Sequence, residues 1–293
     1  MIKEIQAKSI LSHSKTPDPW FGIQYTMNLY RGCQHQCIYC DSRSDCYQIE
    51  NFGDTLVKVN ALELLERELP SKRVKGTIGT GSMNDPYAPV EKQYQLTRGA
   101  LKLFIKYGFP VHVLTKSQLV IRDVDLLQEI QNNTQALVSF SITTCDDVLG
   151  KKVEPGAALV SERLAAMQFL ANRGIKVGVL LMPVLPFIED NWENIRQIVE
   201  LAHAHGAGYI LAAFGMTQRK GSQEYYLRQL EHLFPGIKEK HLRAFGNRYE
   251  CHAREAKQLS EQFKALCMEK GIANKVPFYL PDRPVRQLSF LGI

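Results

Sequence analysis

The sequence is short of long apolar runs. The longest, Val177 to Phe187, covers eleven residues and is broken by Pro183 and Pro186, too little to cross a bilayer. The first fifteen residues mix charges with apolar side chains and lack the apolar core of a secretory leader. Both absences set the expectation of a soluble, cytoplasmic protein with no membrane association. Long runs of like charge are missing too, so the net charge of +6 has to be read from its distribution. Residues 1–214 balance 22 Lys and Arg against 22 Asp and Glu, whereas residues 215–293 hold 14 against 8. A neutral body thus carries a basic carboxyl-terminal segment, which is either a surface for nucleic acid or a set of solvated helix faces.

What is present narrows the class further. With 45% hydrophobic residues among 293, the chain is neither disordered nor fibrous and suffices for one large α/β domain. Seven cysteines, an odd number and partly clustered, do not form the pattern of a disulfide framework. Three of them stand in the spacing C-x3-C-x2-C within Arg31-Gly32-Cys33-Gln34-His35-Gln36-Cys37-Ile38-Tyr39-Cys40. A [4Fe–4S] cluster normally takes four cysteine ligands, so Cys33, Cys37 and Cys40 would leave one iron open to bind a reactant. The competing reading is structural zinc, which favours four ligands in paired C-x2-4-C hooks. Only one such hook is present, and His35 or Cys46 would have to complete the set. Cys46, Cys145, Cys251 and Cys267 otherwise read as small buried or half-buried thiols.

The cysteine spacing, with Tyr39 in its aromatic slot, resembles the radical S-adenosylmethionine (SAM) superfamily. The resemblance implies a [4Fe–4S] cluster whose fourth iron binds SAM through its amino and carboxylate groups. One electron from the reduced cluster then cleaves SAM to methionine and a 5′-deoxyadenosyl radical, which abstracts hydrogen from a substrate. An electron donor of the flavodoxin or ferredoxin type is implied as a partner.

Downstream, β-branched runs alternate with helical patterns. Gln24–Tyr30, Gly76–Gly81, Val111–Leu114, Ala136–Thr143, Lys176–Met182 and Tyr209–Phe214 read as strands. The run Val177 to Met182 is apolar throughout, which suits a parallel strand covered on both faces. Leu96, Ala100, Leu103, Phe104 and Tyr107 recur at helical spacing, as do Leu164, Met167 and Leu170. Asp190, with Glu193 three residues on, is placed to cap a helix running toward His205. Six strands with five intervening helices suit a doubly wound sheet or a barrel. The family resemblance implies the partial (β/α)6 TIM-type barrel, with a core over 1–214 and a helical, basic extension over 215–293 packed on the same domain.

In either architecture the carboxyl ends of the strands form the active face. Those ends carry Gly79-Thr80-Gly81-Ser82-Met83-Asn84-Asp85-Pro86-Tyr87, Leu114-Thr115-Lys116 and Phe140-Ser141-Ile142-Thr143-Thr144. The resemblance implies that Gly81, Ser82, Lys116 and Ser141 hold SAM, with Lys116 against its carboxylate, and that Tyr39 packs near its adenine. Asp85-Pro86-Tyr87, Glu154-Pro155-Gly156 with Arg163, and Arg286-Gln287-Leu288-Ser289 look like the branch related to spore photoproduct lyase. Members of that branch split a thymine dimer in DNA, with a cysteine returning hydrogen to the product radical. Here the corresponding segment, Gly79–Ser82, has no cysteine, and Asp41 stands where the lyases have tyrosine after the third cluster cysteine. Cys145, just past a strand end, is the candidate hydrogen donor. Arg43 is expected either to hold an anionic group of the substrate or to brace the loop through Asp41 or Asp45. The leading expectation is a radical SAM enzyme, with photoproduct-lyase-like DNA repair as the reaction. The alternatives are the same chemistry on RNA, a peptide or a small metabolite, or a zinc-stapled binding module without enzymatic activity.

Overall fold

The computed structural model describes residues 1–49, 51–81 and 83–280. Six parallel strands lie side by side in chain order. They are β1 (Tyr25–Met27), β2 (Ile78–Thr80), β3 (Val111–Thr115), β4 (Ala136–Ser141), β5 (Lys176–Leu181) and β6 (Tyr209–Ala212). A short antiparallel strand, Leu11–His13, adds to the outer edge of β1. A doubly wound sheet reverses its strand order at a switch point, and this order never reverses. Among the described residues no pairing joins β6 to the opposite edge, so the sheet is a partial barrel.

The residues of β4 show why the strands pack as they do. Successive side chains of a strand point to opposite faces. Ala136, Val138 and Phe140 join the large apolar core under the helices, whereas Leu137 belongs to a smaller cluster with Leu180, Tyr209 and Leu211. In β5, Val177, Val179 and Leu181 face the helices in the same way. Every residue of β4 is buried, the pattern of a parallel strand covered on both sides. Burying each such aliphatic side chain is worth about 1.5–3 kcal/mol.

The outer layer comprises α1 (Ala61–Glu68), α2 (Leu96–Tyr107), α3 (Val124–Asn133), α4 (Val160–Ala171), α5 (Trp192–Ala204) and α6 (Ala256–Glu269). Asn191 caps α5 by accepting from the Asn194 amide at 3.0 Å. Asp190, expected in that role, accepts instead from the amides of Phe187 (2.7 Å) and Arg254 (2.8 Å). Glu193 pairs with Arg196 rather than with a cap. No helix of the described residues is long and apolar enough to cross a membrane.

Two further departures concern the site. The run Gln24–Tyr30 is not one strand, because it leaves the barrel after Met27 and resumes as Tyr30–Arg31 in a separate small sheet with Thr55–Lys58 and Ile2–Ile5. Pairing of Tyr30 with Val57 and Arg31 with Leu56 pinches the base of the loop that carries the cysteines. Past Phe214 the chain divides in two. Gly215–Thr217 pairs with Glu250–His252, and the helices Ser222–Leu233 and Ile237–Phe245 lie between these strands. Tyr226, Leu230 and Cys251 of this portion pack with Cys37, Ile38 and Tyr39, so it covers the cysteine loop. The chain then returns to the barrel wall: Leu259, Phe263 and Cys267 of α6 join the main core, and Ala273 bridges to Tyr209. Arg286-Gln287-Leu288-Ser289 lies outside the described residues.

Candidate active site

The three cysteines converge at the carboxyl end of the barrel. Cys33, Cys37 and Cys40 line one cavity of about 150 Å³ together with His35, Gly81, Asn84, Asp85, Lys116 and Ser141. The cysteine loop supplies the first group, and the ends of β2, β3 and β4 supply the rest. Ser82 lies outside the described residues. Gly81 has φ +85°, and a Cβ there would stand 2.3 Å from the Leu114 carbonyl oxygen. Only glycine lets β2 turn this close to the end of β3.

Asp85 ties these ends together. Its carboxylate accepts from the Tyr87 amide (2.8 Å), the Thr115 hydroxyl (2.7 Å) and the Lys116 amide (2.6 Å), and lies 3.3 Å from His35 Nδ1. Burial pushes the His35 pKa down, against the pull of Asp85, and favours the neutral ring. Asn84 Nδ2 is buried and finds no acceptor among the described residues.

Glu154 organises the opposite wall. One oxygen is 2.5 Å from Arg163, while the other accepts the Tyr39 hydroxyl and lies 3.8 Å from Lys116. Burial pushes this carboxyl up, but Arg163 and Lys116 outweigh it and hold it below the usual carboxylate range. Arg163 also donates to the carbonyls of Ser141 (2.8 Å) and Ala158 (2.7 Å), which anchors the end of β4. Lys116 Nζ stands 5.8 Å from the Tyr39 ring centre. Gly156 packs on the cysteine loop, its amide donating to the His35 carbonyl at 2.9 Å. A Cβ on Gly156 would meet Gln34 O at 2.1 Å.

The donor set fits an iron–sulfur cluster. Burial, then the Asp85 carboxylate, push the Cys33 thiol up to about 12, and burial raises Cys37 as well. Thiols so enclosed ionise against a cation, which the irons of a cluster supply. Zinc is not favoured, because Cys46 points elsewhere: it lies 3.5 Å from Ser44 Oγ and 3.6 Å from Arg219 Nη1.

A second cavity, of about 810 Å³, adjoins the first and shares Cys40 and Ser42 with it. Tyr39, Asp41, Trp20, Met182, Met216 and His252 are among its lining residues. Asp41 Oδ1 is buried with no donor among the described residues, and its other oxygen lies 3.6 Å from Arg219. Cys145 lines neither cavity. It packs half-buried against the main core, where burial pushes its thiol up to about 12. Arg43 reaches neither Asp41 nor Asp45. Its guanidinium is sandwiched between Phe52 (4.2 Å) and Tyr225 (3.8 Å), and it donates to the Cys37 carbonyl at 3.3 Å and to Gln36 at 2.7 Å. It braces the loop from behind.

The organising roles of Asp85, Glu154 and Arg163, and the Asn84 amide without a partner among the described residues, are not legible in the sequence, although Asp85-Pro86-Tyr87 and Glu154-Pro155-Gly156 are motifs there. Their function depends on which strand ends become neighbours, which no local spacing encodes.

Comparison with known proteins adds four findings. The family model described as the radical SAM superfamily matches residues 27–206. An uncharacterized protein of Mycobacterium tuberculosis is 32% identical over 243 residues, covering 80% of this chain and 70% of the relative. A Pseudomonas phage M6 protein described as a radical SAM Nalpha-GlyT isomerase is 25% identical over 197 residues, 67% of this chain and 40% of its own length. Among solved structures, spore photoproduct lyase complexed with dinucleoside spore photoproduct superposes with a TM-score of 0.68 at 16% identity, over 93% of this chain and 81% of that one. At that identity the likeness is one of fold.

Proposed function

Because the chain belongs to the radical SAM superfamily and is an enzyme that uses a [4Fe–4S] cluster and SAM, we propose that Cys33, Cys37 and Cys40 hold the cluster and that a nucleic-acid base is the substrate. The observation that carries the assignment is the meeting of these three thiols with the ends of β2, β3 and β4 in one cavity that opens toward a larger one. Held by Cys33, Cys37 and Cys40, a reduced cluster would supply the one electron that cleaves SAM to methionine and a 5′-deoxyadenosyl radical.

The chain's own residues bind and orient. Lys116 faces the cysteine cavity, and both oxygens of Glu154 are already engaged by Arg163 and Tyr39, so its ammonium keeps donors for the SAM carboxylate. The backbone around Gly81, the Ser141 hydroxyl and the Asn84 amide offer polar groups to the amino acid and ribose portions. Tyr39, held through its hydroxyl by Glu154, presents its ring beside the adenine.

The larger cavity takes the substrate. Trp20, 50% exposed, offers a stacking face, and Asp41, which lines the cavity, offers a carboxylate for base N–H groups. Arg219, Lys220 and His252 stand around this region with exposed side chains able to meet phosphates. A base would have to be extruded from any duplex to reach it. Cys40 is the one thiol lining the larger cavity among the described residues. Hydrogen return by a second thiol, as in photoproduct lyases, therefore has no counterpart, and the reading is hydrogen abstraction from a base without a thiol relay. A flavodoxin or ferredoxin-type donor supplies electrons, and the absence of any bridge among the seven cysteines suits the reducing cytoplasm.

Anaerobic reconstitution with iron and sulfide should give brown protein with about four irons per chain. Dithionite and SAM should then yield 5′-deoxyadenosine. With base-deuterated oligonucleotides, deuterium should enter that product. Alanine at any of the three cysteines should abolish cluster and product together. Folded wild-type protein that takes up zinc but no iron would overturn the cluster assignment. Deuterium transfer from a peptide mixture but from no oligonucleotide would overturn the substrate.

A further inference from the structure

A groove of about 620 Å³ borders the cysteine loop and shares no lining residue with the two cavities above, and the proposed function gives it no task. Ile38 forms part of its wall. This residue sits between two of the three cysteines: Cys37 precedes it directly, and Cys40 follows two residues later. The backbone of Ile38 is fixed by a hydrogen bond from its amide to the Val153 carbonyl at 2.9 Å. Ile38 is 1% exposed, so the groove meets the cluster loop at one buried, rigidly held residue.

The rest of the groove has the character of a docking face. Val148 is 68% exposed, and the half-buried Tyr225 and Leu233 extend the apolar surface beside it. Its rim is cationic. Lys151 and Lys152 line it, and Arg228 stands beside Tyr225 at 5.8 Å from the ring centre. The one acid lining it, Asp147, is bonded to the Ser161 hydroxyl at 2.6 Å and its amide at 3.0 Å. Another groove beside His35 also carries cations, but its Arg122 is paired with Glu91 and Asp123, each at 2.7 Å.

We propose that the groove bounded by Ile38, Val148, Lys152 and Tyr225 is where a small acidic flavoprotein of the flavodoxin type docks to reduce the cluster. Apolar surface ringed by cations matches a partner whose flavin edge emerges from an acidic face, since complementary charge steers and orients encounter. In the transfer, the anionic flavin hydroquinone becomes the neutral semiquinone as one electron passes to the oxidised cluster, and no proton or bond is exchanged. The inference rests on the assignment of Cys33, Cys37 and Cys40 as cluster ligands.

The test compares two reductants on the reconstituted full chain. 5′-Deoxyadenosine formation is measured with flavodoxin, NADPH and flavodoxin reductase, and separately with dithionite, which needs no docking. Lys152→Glu/Arg228→Glu should raise the KM for flavodoxin about tenfold or more, and raised salt should raise the wild-type KM. The dithionite rate and iron content should match the wild type. Val148→Glu, which places a charge in the apolar floor without removing a cation, should act in the same direction. An unchanged flavodoxin KM in both variants, or a wild type that accepts electrons from ferredoxin but not from flavodoxin, would overturn the proposal. Loss of product with dithionite in the wild type would instead sink the cluster assignment, so the two failures are distinguishable.

Discussion

The Glu154 carboxylate lies 2.5 Å from the Arg163 guanidinium, and both side chains are 2% exposed. A buried pair of this kind is costly to break, because removal of one partner strands the other charge away from water. Glu154 also holds the Tyr39 hydroxyl and stands near Lys116, so its loss would free three groups at once. Glu154→Ala is expected to lower stability by about 3–5 kcal/mol, measured by urea unfolding followed by circular dichroism. Glu154→Gln, which keeps shape and an acceptor for Tyr39, should lose clearly less. An alanine variant within about 1 kcal/mol of the wild type would mean that the pair contributes little.

Gly156 brings the Glu154-Pro155-Gly156 turn against the cysteine loop so closely that a Cβ would fall 2.1 Å from Gln34 O and 2.9 Å from His35 Cα. Both contacts are backbone, so no side chain can swing away. Gly156→Ala must part the turn and the loop by roughly an ångström to reach ordinary contact distance. The barrel should survive, and iron retained after desalting should fall to less than about half of the wild-type value. Full iron retention would show that the loop does not depend on this contact.

Much of this arrangement was legible in the sequence because it is local. The cysteine spacing lies within eight residues, and the strands of the barrel are apolar runs whose alternation can be counted. β4 and β5 appear within two residues of their expected limits. The break at Asn28–Leu29 was not legible, because nothing in Gln24–Tyr30 signals that its second half pairs with Thr55–Lys58. Asp190 and Asn191 are both good cap residues, and only the amides of Phe187 and Arg254 decide that Asp190 is used elsewhere. The basic segment after Phe214 read as one extension by composition. Its division into a cover for the cysteine loop and a last barrel helix is set by contacts between Tyr226 and the cysteine loop and between Phe263 and Phe214.

Glu189 gives the fold a pH dependence of defined sign. Burial, with the neighbouring carboxylates Glu154 and Asp190, raises its pKa to about 8, although Leu185 and Thr143 donate to it at 3.0 and 2.9 Å. Below the ordinary value of 4.5 the group is protonated in both folded and unfolded chains and contributes no slope. Between there and about 8 the folded state keeps a proton that the unfolded state has released, so stability falls as pH rises, by at most about 1.4 kcal/mol per unit. Glu189→Gln mimics the protonated form. Urea midpoints measured from pH 5 to 8 should flatten in this variant relative to the wild type, and parallel profiles would refute the assignment.

Asp41 offers the sharpest test of what enters the larger cavity. Its carboxylate lines the cavity, with Arg219 3.6 Å from one oxygen and no donor to the other among the described residues. A carboxylate lining the cavity can accept a substrate N–H, and a hydrogen bond to a charged group is worth about 1.5–3 kcal/mol. Asp41→Asn keeps the size of the side chain but turns half of it into a donor. The KM for an oligonucleotide substrate should then rise about tenfold or more, while 5′-deoxyadenosine released in the absence of substrate should not change, because the cysteines and the SAM wall are untouched. If substrate-free cleavage falls in step with turnover, Asp41 serves the cluster loop, and the substrate must find its acceptor elsewhere in the cavity.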